Sequence, residues 1–294
     1  MRKQRYLTLE KRLSVPLWTK LAVPLASIVA GFLFSAIFLL ISGESSIEVY
    51  SVMFEGAFGS AYGLSETVVK MIPLMIISVG VAFAFKMQIW NAGGEGQLHI
   101  GAAAATYVVL HLNGCSRFVT VLLAFLAAFI CAGIYGLIPA ILKVKWKVNE
   151  LITCLMLNYV AQYFIQYLRE GPWKDPTAMG FPIMPRFEKA ARLPKVLGIH
   201  MGWIVALALV ALVFFYLRYT KHGYELTVVG ANENTARYAG MPVKKIILRT
   251  MFLSAAICGL AGVMQVSGAD MQLTDSVAGG VGFTAIIVSW LARL

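Results

Sequence analysis

Long apolar runs recur along this chain, and they leave it few folds to choose from. They cover residues 21–41, 68–85, 98–112, 118–142, 151–168, 201–217 and 250–268, with a further run starting at 283. Most approach the roughly 20 residues a helix needs to cross a bilayer. Of the 294 residues 59% are hydrophobic and 13% charged, and the mean hydropathy is +0.76. A soluble domain typically carries about 25% charged residues. The expectation is an all-α polytopic membrane protein with about eight transmembrane helices, the last incomplete because the chain stops inside it.

The basic residues set an orientation. Arg2, Lys3, Arg5, Lys11, Arg12 and Lys20 crowd into residues 1–20, a segment expected to stay in the cytoplasm by the positive-inside rule. Residues 43–67 hold Glu44, Glu48, Glu55 and Glu66 and no Lys or Arg, and are placed outside. Lys143, Lys145 and Lys147 mark an inner turn, and 218–249 reads as a basic inner loop. The Pro- and Gly-rich segment 169–200 falls outside in this scheme, although it carries six basic residues. The first apolar run lacks a small-residue cleavage site and reads as a retained anchor. Residues 21–294 therefore form one transmembrane domain, in a multi-pass protein of the cell membrane with a cytoplasmic N-terminus.

Several function classes drop out. The net charge of +11 lies between apolar runs, with no zinc-finger spacing or recognition helix, so nucleic acid is not an expected partner. Cys115, Cys131, Cys154 and Cys258 have no metal-like spacing and read as packing residues. His99, His111, His200 and His222 lack ligand or triad partners at a recognisable spacing. No G-x-x-x-x-G-K-[ST] occurs. No catalytic residue, metal or cofactor is assigned to this chain.

One stretch interrupts the apolar pattern. Residues 86–101, KMQIWNAGGEGQLHIG, set Asn91, Glu95 and Gln97 beside Gly93, Gly94 and Gly96. Each glycine costs a helix about 1 kcal/mol relative to alanine. A carboxylate at membrane depth costs roughly 2.5–3.5 kcal/mol or more. Irregular, charged backbone persists there only where it is buried in protein or lines a wet cavity. A broken or re-entrant helix near a solute pathway is expected.

Further along, LITCLMLNYVAQYFIQYLR carries Asn158, Gln162 and Gln166 at i, i+4 and i+8, with Tyr159, Tyr163 and Tyr167 beside them. Such amides either bond neighbouring helices or line a pathway in which tyrosines offer stacking surfaces. Ala255, Gly259 and Gly262 form a small-residue stripe suited to close helix packing. Asp270 and Asp275 lead into VAGGVGF, which reads as an isolated loop or a second broken helix. In the inner loop, Asn232 is an N-cap, Glu233 suits the helix start, and Gly240 followed by Pro242 ends it. So short a helix is marginal alone in water. It is either an ordinary connector or a device that docks on a partner.

Taken together, these segments resemble the permease subunits of ABC importers for simple sugars and nucleosides. IWNAGGEGQLHIGA is similar to that family's F-N-I-G-A-E-G-Q stretch. VNELITCLMLNYVAQYF followed by GPWKDP is similar to its N-E-x-I-x-T-x-M-L-N-Y helix and G-P-W-x-D-P loop. GANENTARYAGM is similar to G-x-N-x-x-A-A-x-Y-A-G-I, and VGFTAIIVSWLARL to G-F-x-x-I-A-V-A-L-L. The resemblance covers about residues 65–294, departs at Ala92, Gly94, Thr235 and Trp290, and looks most like the nucleoside branch.

That resemblance implies the rest of a machine. A second permease chain, homologous or paralogous, would complete the pore. Two cytoplasmic ATPases would carry the ATP and magnesium, and an extracellular substrate-binding lipoprotein would deliver the solute. Asn91, Glu95, Gln97, Asn158, Tyr159, Gln162, Tyr163 and Gln166 would lie near the pathway. Gly230, Asn232, Glu233, Ala236, Tyr238 and Gly240 would couple the chain to an ATPase. The family usually continues with further spans, so the chain is expected to be C-terminally incomplete. The rival readings are a branched-chain amino acid permease of the same architecture, and a channel or secondary transporter working without an ATPase.

Overall fold

In a computed structural model, residues 16–112 and 114–292 are described. The basic residues Arg2, Lys3, Arg5, Lys11 and Arg12 lie outside the described residues. The described residues divide into two compact units, one up to Gly63 and one from Leu64 onward.

In the first unit, α1 (Leu17–Ile41) is followed by α2 (Ser46–Phe58). The acidic segment after the first span is thus helical. Ser45 caps α2 by accepting from the Glu48 N–H, and Glu48 suits the positive helix start. Ser46 and Tyr50 donate back to the carbonyls of Ala36 and Phe32 on α1, at 2.9 and 2.7 Å. Apart from such ties α1 is widely exposed, with Val29, Leu33 and Ile37 all more than half accessible. Aliphatic exposure of that kind suits lipid.

The second unit begins within α3 (Ala61–Phe85) and continues through α4 (Gly94–His111), α5 (Arg117–Trp146) and α6 (Glu150–Glu170). After a loop come α7 (Gly202–Tyr219), α8 (Lys221–Ala231), α9 (Glu233–Tyr238), α10 (Val243–Met264) and α11 (Val281–Leu291). Six of the described helices are long and apolar enough to cross a membrane. The expected tally of about eight is not reached on that criterion. The difference lies in α4, 18 residues long but loaded with Glu95, Gln97 and His99, and in α11, 11 residues long. The segment expected as a polar loop at 218–249 is mostly helix: α8, α9 and the first turns of α10 occupy it.

Helix α10 is the hub, buried along almost its whole length and packed against α4 and α5. Its small residues make that possible. A Cβ on Gly262 would sit 2.4 Å from the Leu98 carbonyl oxygen, and one on Gly259 2.2 Å from the Ala132 methyl. Backbones that approach so closely gain dispersion contact without needing a hydrophobic driving force, which is absent between helices in lipid.

Segment 169–200 is ordered by its own hydrogen bonds. Asp175 accepts from the backbone and hydroxyl of Thr177, and the Asp175 N–H donates to Ile183. A short 3₁₀ turn (Lys189–Ala191) precedes a hairpin, β1 (Lys195–Val196) antiparallel to β2 (Ile199–His200). Leu197 and Gly198 both have positive φ, as a two-residue hairpin turn with right-handed strand twist requires. Leu193 donates to the Ser267 carbonyl, where α10 passes into a π-helical turn (Gln265–Ala269).

His200 is wedged beneath this hairpin at 3% exposure, its ring between Gly202 and Gly268. Its Nδ1 accepts from the Gly202 N–H at 3.3 Å, and Nε2 is buried with no hydrogen-bond partner among the described residues. Burial, with Lys195 nearby as the smaller cause, holds its pKa below the ordinary imidazole value. The unfolded ring takes a proton as pH falls through about 6.5, while the folded ring resists it. The unfolded form then binds more protons, so the stability of this region drops with falling pH from about 6.5 to the folded value. Amide exchange of the hairpin, corrected for its intrinsic rate, should accelerate between pH 7.5 and 5, by at most about tenfold per pH unit. His200→Asn should flatten that profile; an unchanged profile in the variant would refute the assignment.

Candidate functional site

Helix α3 stops at Phe85, and the chain turns through Lys86–Gln88, with Gln88 at φ 58°. It restarts as a helix at Gly94, after Gly93 as N-cap. The break expected near 86–101 is present, but shorter. Gly94 and Gly96 lie within the first turn of α4 rather than in irregular backbone. Close approach explains them better than flexibility does. A Cβ at Gly94 would meet the Ile77 side chain at 2.8 Å, and one at Gly96 would meet the Asn158 Oδ1 at 2.9 Å.

The polar residues of the break are buried and mutually satisfied. Asn91 is fully buried, Gln97 and Asn158 are 2% and 3% exposed, and Glu95 is 8% exposed. Asn91 and Gln97 exchange amide hydrogen bonds at 3.0 and 2.8 Å. Asn91 also donates to Ser254 Oγ at 2.7 Å and accepts from the Gly93 N–H. Ser254 in turn donates to the Gly80 carbonyl at 2.6 Å. Asn158 on α6 accepts from the Gly96 N–H at 2.8 Å and donates to the Ala92 carbonyl at 2.9 Å. The broken segment is thereby stitched to α3, α6 and α10, the condition for irregular backbone at membrane depth.

Glu95 joins two helix starts. Its carboxylate accepts from the Gly280 N–H at 2.9 Å and the Gly282 N–H at 2.7 Å, at the beginning of α11. Glu95 itself lies in the first turn of α4. A single negative charge therefore meets the positive ends of two helix dipoles and binds two donors that α11 cannot satisfy internally. Gly282 has no room for a side chain, because a Cβ would fall 2.3 Å from the Glu95 backbone nitrogen. Of the two readings left open for 270–280, the chain adopts a loop that ends in this capped helix.

The amides of α6 do not share one environment. Asn158 is inside, whereas Gln162 is exposed and Gln166 intermediate, donating to Glu170 at 3.0 Å. A spacing of four residues advances 400° around a helix, so each step drifts 40° from the last. Tyr159, Tyr163 and Tyr167 are 54%, 67% and 65% exposed and form an open aromatic stripe.

Asn232 caps α9 by accepting from the Asn234 and Thr235 N–H groups at 2.9 and 3.2 Å. Glu233 pairs with Arg237 one turn later. Ala236 is fully buried, Tyr238 is 93% exposed, and Gly240 at φ 75° ends the helix. Gly230, at the end of α8, rests on the break itself: a Cβ there would lie 2.4 Å from the Lys86 carbonyl oxygen. Sequence reasoning missed Ser254, the amides of Gly280 and Gly282, and the Gly230 contact. Only a lone serine in an apolar helix and a paired glycine signalled any of them.

The chain matches the family model described as branched-chain amino acid transport system / permease component over residues 63–294. It is similar, at 34% identity, to the glucose ABC transporter permease protein TsgB13 of Haloferax volcanii, across 98% of this chain and 78% of that protein. Identity is also 34% to the guanosine ABC transporter permease protein NupP of Bacillus subtilis, across 92% of this chain and 79% of the relative. The nucleoside ABC transporter permease protein NupB of Lactococcus lactis is 29% identical, with 92% and 78% covered. No solved structure matches the chain.

Proposed function

Because this chain belongs to the family of branched-chain amino acid transport system permease components, and is a multi-pass transmembrane subunit of an ABC importer, we propose that it imports nucleosides. An extracellular binding protein delivers the solute to a pore formed with a second permease chain. ATP is hydrolysed on separate cytoplasmic subunits. In this reading the N-terminus is cytoplasmic, Lys143, Lys145 and Lys147 face those subunits, and segment 169–200 faces outward.

Two relatives are named for guanosine and nucleosides. The exposed face of α6 suits such a solute. Tyr159, Tyr163 and Tyr167 offer surfaces on which a base stacks, and Gln162 offers an amide to bond hydroxyls or base edges. A sugar is the second reading, supported by the glucose permease at equal identity. Glu95, Asn91, Gln97 and Asn158 serve the pathway from behind, by holding the break in shape.

The mechanism rests on the seat of Gly230 against Lys86. Helix α9 is a short lever held by its cap, and α8 carries its displacement to the turn that opens the break. Arg249 on α10 pairs with Glu225 on α8 at 2.9 Å and ties α8 to α10. Beside α9 lies a recess of about 760 Å³ lined by Lys143, Lys145, Lys147, Arg237 and Lys244 together with Glu150 and Glu233. Two of the cations pair with those carboxylates, and the remaining positive excess suits an acidic surface of the ATPase. Closure of the ATPases would then bias the break between two arrangements, giving alternating access.

Asn232→Ala removes a cap worth about 0.5–2 kcal/mol from a helix with little stability of its own. In proteoliposomes holding the complete transporter, guanosine uptake per ATP hydrolysed should fall about tenfold while hydrolysis persists, tenfold corresponding to about 1.4 kcal/mol. An unchanged ratio would reject the lever. In the same assay guanosine should be taken up in preference to D-glucose and L-leucine. Preferential uptake of leucine would reject the substrate assignment.

A further inference from the structure

Beside the aromatic stripe and towards the end of α6, the chain encloses a cleft that the transport reading has used only at Gln162. Its volume is about 410 Å³, and it is lined by Gln162 and Arg169 of α6, by 182–184, and by 272–276. We propose that this cleft is an outward-facing loading site for the diol end of the solute, binding vicinal hydroxyls such as those of a ribose. The inference rests on the nucleoside reading and specifies where and how that solute is first held.

The cleft has the size and make-up of a ligand site. Small-molecule pockets typically span about 300–1,000 Å³ and combine an apolar floor with a few polar groups. Here Met184 and Leu273, each 1% exposed, form the floor. Gln162, Gln272, Thr274 and Ser276 supply amides and hydroxyls. The walls are held in place: Asp175 N–H donates to Ile183 at 2.8 Å, and Phe187 N–H donates to Met271 at 2.8 Å. This is a built cavity rather than the gap between two loose loops.

Its charged groups point to the ligand chemistry. Arg169 pairs with Asp275 inside the lining and, at 3.4 Å, with Glu170. Yet Arg169 Nε is buried with no hydrogen-bond partner among the described residues. With Nε enclosed, a solute meets the guanidinium through its terminal nitrogens, which carry four N–H donors and spend two of them on Asp275 and Glu170. Asp275, beside it, accepts only. A donor and an acceptor side by side match a vicinal diol, in which one hydroxyl accepts from the arginine while its neighbour donates to the carboxylate. The two charges compensate each other, so an uncharged solute enters without leaving either unpaired.

The test uses the whole transporter in proteoliposomes, with Thr274→Cys in a chain whose Cys115 and Cys131 are replaced by serine. A membrane-impermeant maleimide labels the new thiol from outside. Guanosine should slow labelling at least fivefold, 2′-deoxyguanosine clearly less, and L-leucine not at all. Ser276→Ala should raise the half-saturating guanosine concentration about tenfold with maximal uptake unchanged. If guanosine is transported normally but neither labelling nor half-saturation responds, this site is wrong and the nucleoside reading survives. Equal protection by solute-free binding protein would make the cleft a protein contact and overturn the proposal. If guanosine is not transported at all, uptake alone reveals it, and both readings fall.

Discussion

Replacing Glu95 by alanine should lower the thermal midpoint of the purified chain by about 10 °C. The change removes the acceptor for the Gly280 and Gly282 amides, in a place where Glu95 is only 8% exposed. Each buried donor left unpaired costs about 1–3 kcal/mol, and bonds to a charged group sit at the upper end. Two of them amount to about 2–6 kcal/mol, and about 2–4 °C follows each kcal/mol in a unit of this size. Glu95→Gln should fall between, because its carbonyl oxygen replaces one acceptor while its NH₂ group confronts the other donor. Thermal unfolding in detergent, followed by intrinsic fluorescence, distinguishes the cases. A Glu95→Ala chain melting within 2 °C of the parent would show that the tie between α4 and α11 contributes little. A Glu95→Gln chain that melts normally but fails to transport would place the carboxylate's role on the solute instead.

Gly101→Val should be at least as damaging. A Cβ at Gly101 would lie 2.1 Å from the Gly259 carbonyl oxygen and 2.7 Å from its Cα. Nothing at the far side can yield, because the contact is backbone of α10, itself clamped against α5 by Ala132 over Gly259. Helices α4 and α10 must separate, and the 2.7 Å Asn91–Ser254 bond that ties the break just before α4 to α10 is put under load as well. Overpacking typically costs about 1–3 kcal/mol and more where backbone must move. The chain should accumulate in the membrane at a small fraction of parental level, with lost protease protection. Gly31→Ala, in α1 with nothing within 4 Å, is the matched control and should behave like the parent. Comparable accumulation of both variants would disprove the tight crossing.

Local grammar was legible without any fold. Asn232, Glu233, Gly240 and Pro242 announce where α9 starts and stops, because a cap and a breaker act within a few residues of themselves. The helix break after Phe85 was legible too, since glycines and a carboxylate in an apolar run conflict with an uninterrupted span. Its length was not. Gly94 and Gly96 look like helix breakers, yet they sit in helix, because Ile77 and Asn158 occupy the space their side chains would take. The roll of α6 was equally hidden: Asn158, Gln162 and Gln166 look like one face, but neighbouring helices bury the first and leave the second open.

The sequence by itself determined that the chain is a set of membrane helices, where α3 breaks off before α4, and where a short capped helix stands between α8 and α10. These follow from hydropathy, chain length per turn and local capping. Only the tertiary structure decided what the polar groups touch. Glu95 meets amides 185 and 187 residues away, Asn91 meets a serine 163 residues away, and Gly230 lies under the turn at Lys86. A carboxylate at membrane depth must have partners, and chemistry alone states that need. Which donors satisfy it depends on how the helices are rotated and how near their backbones come, and that is fixed by packing between segments far apart in the chain.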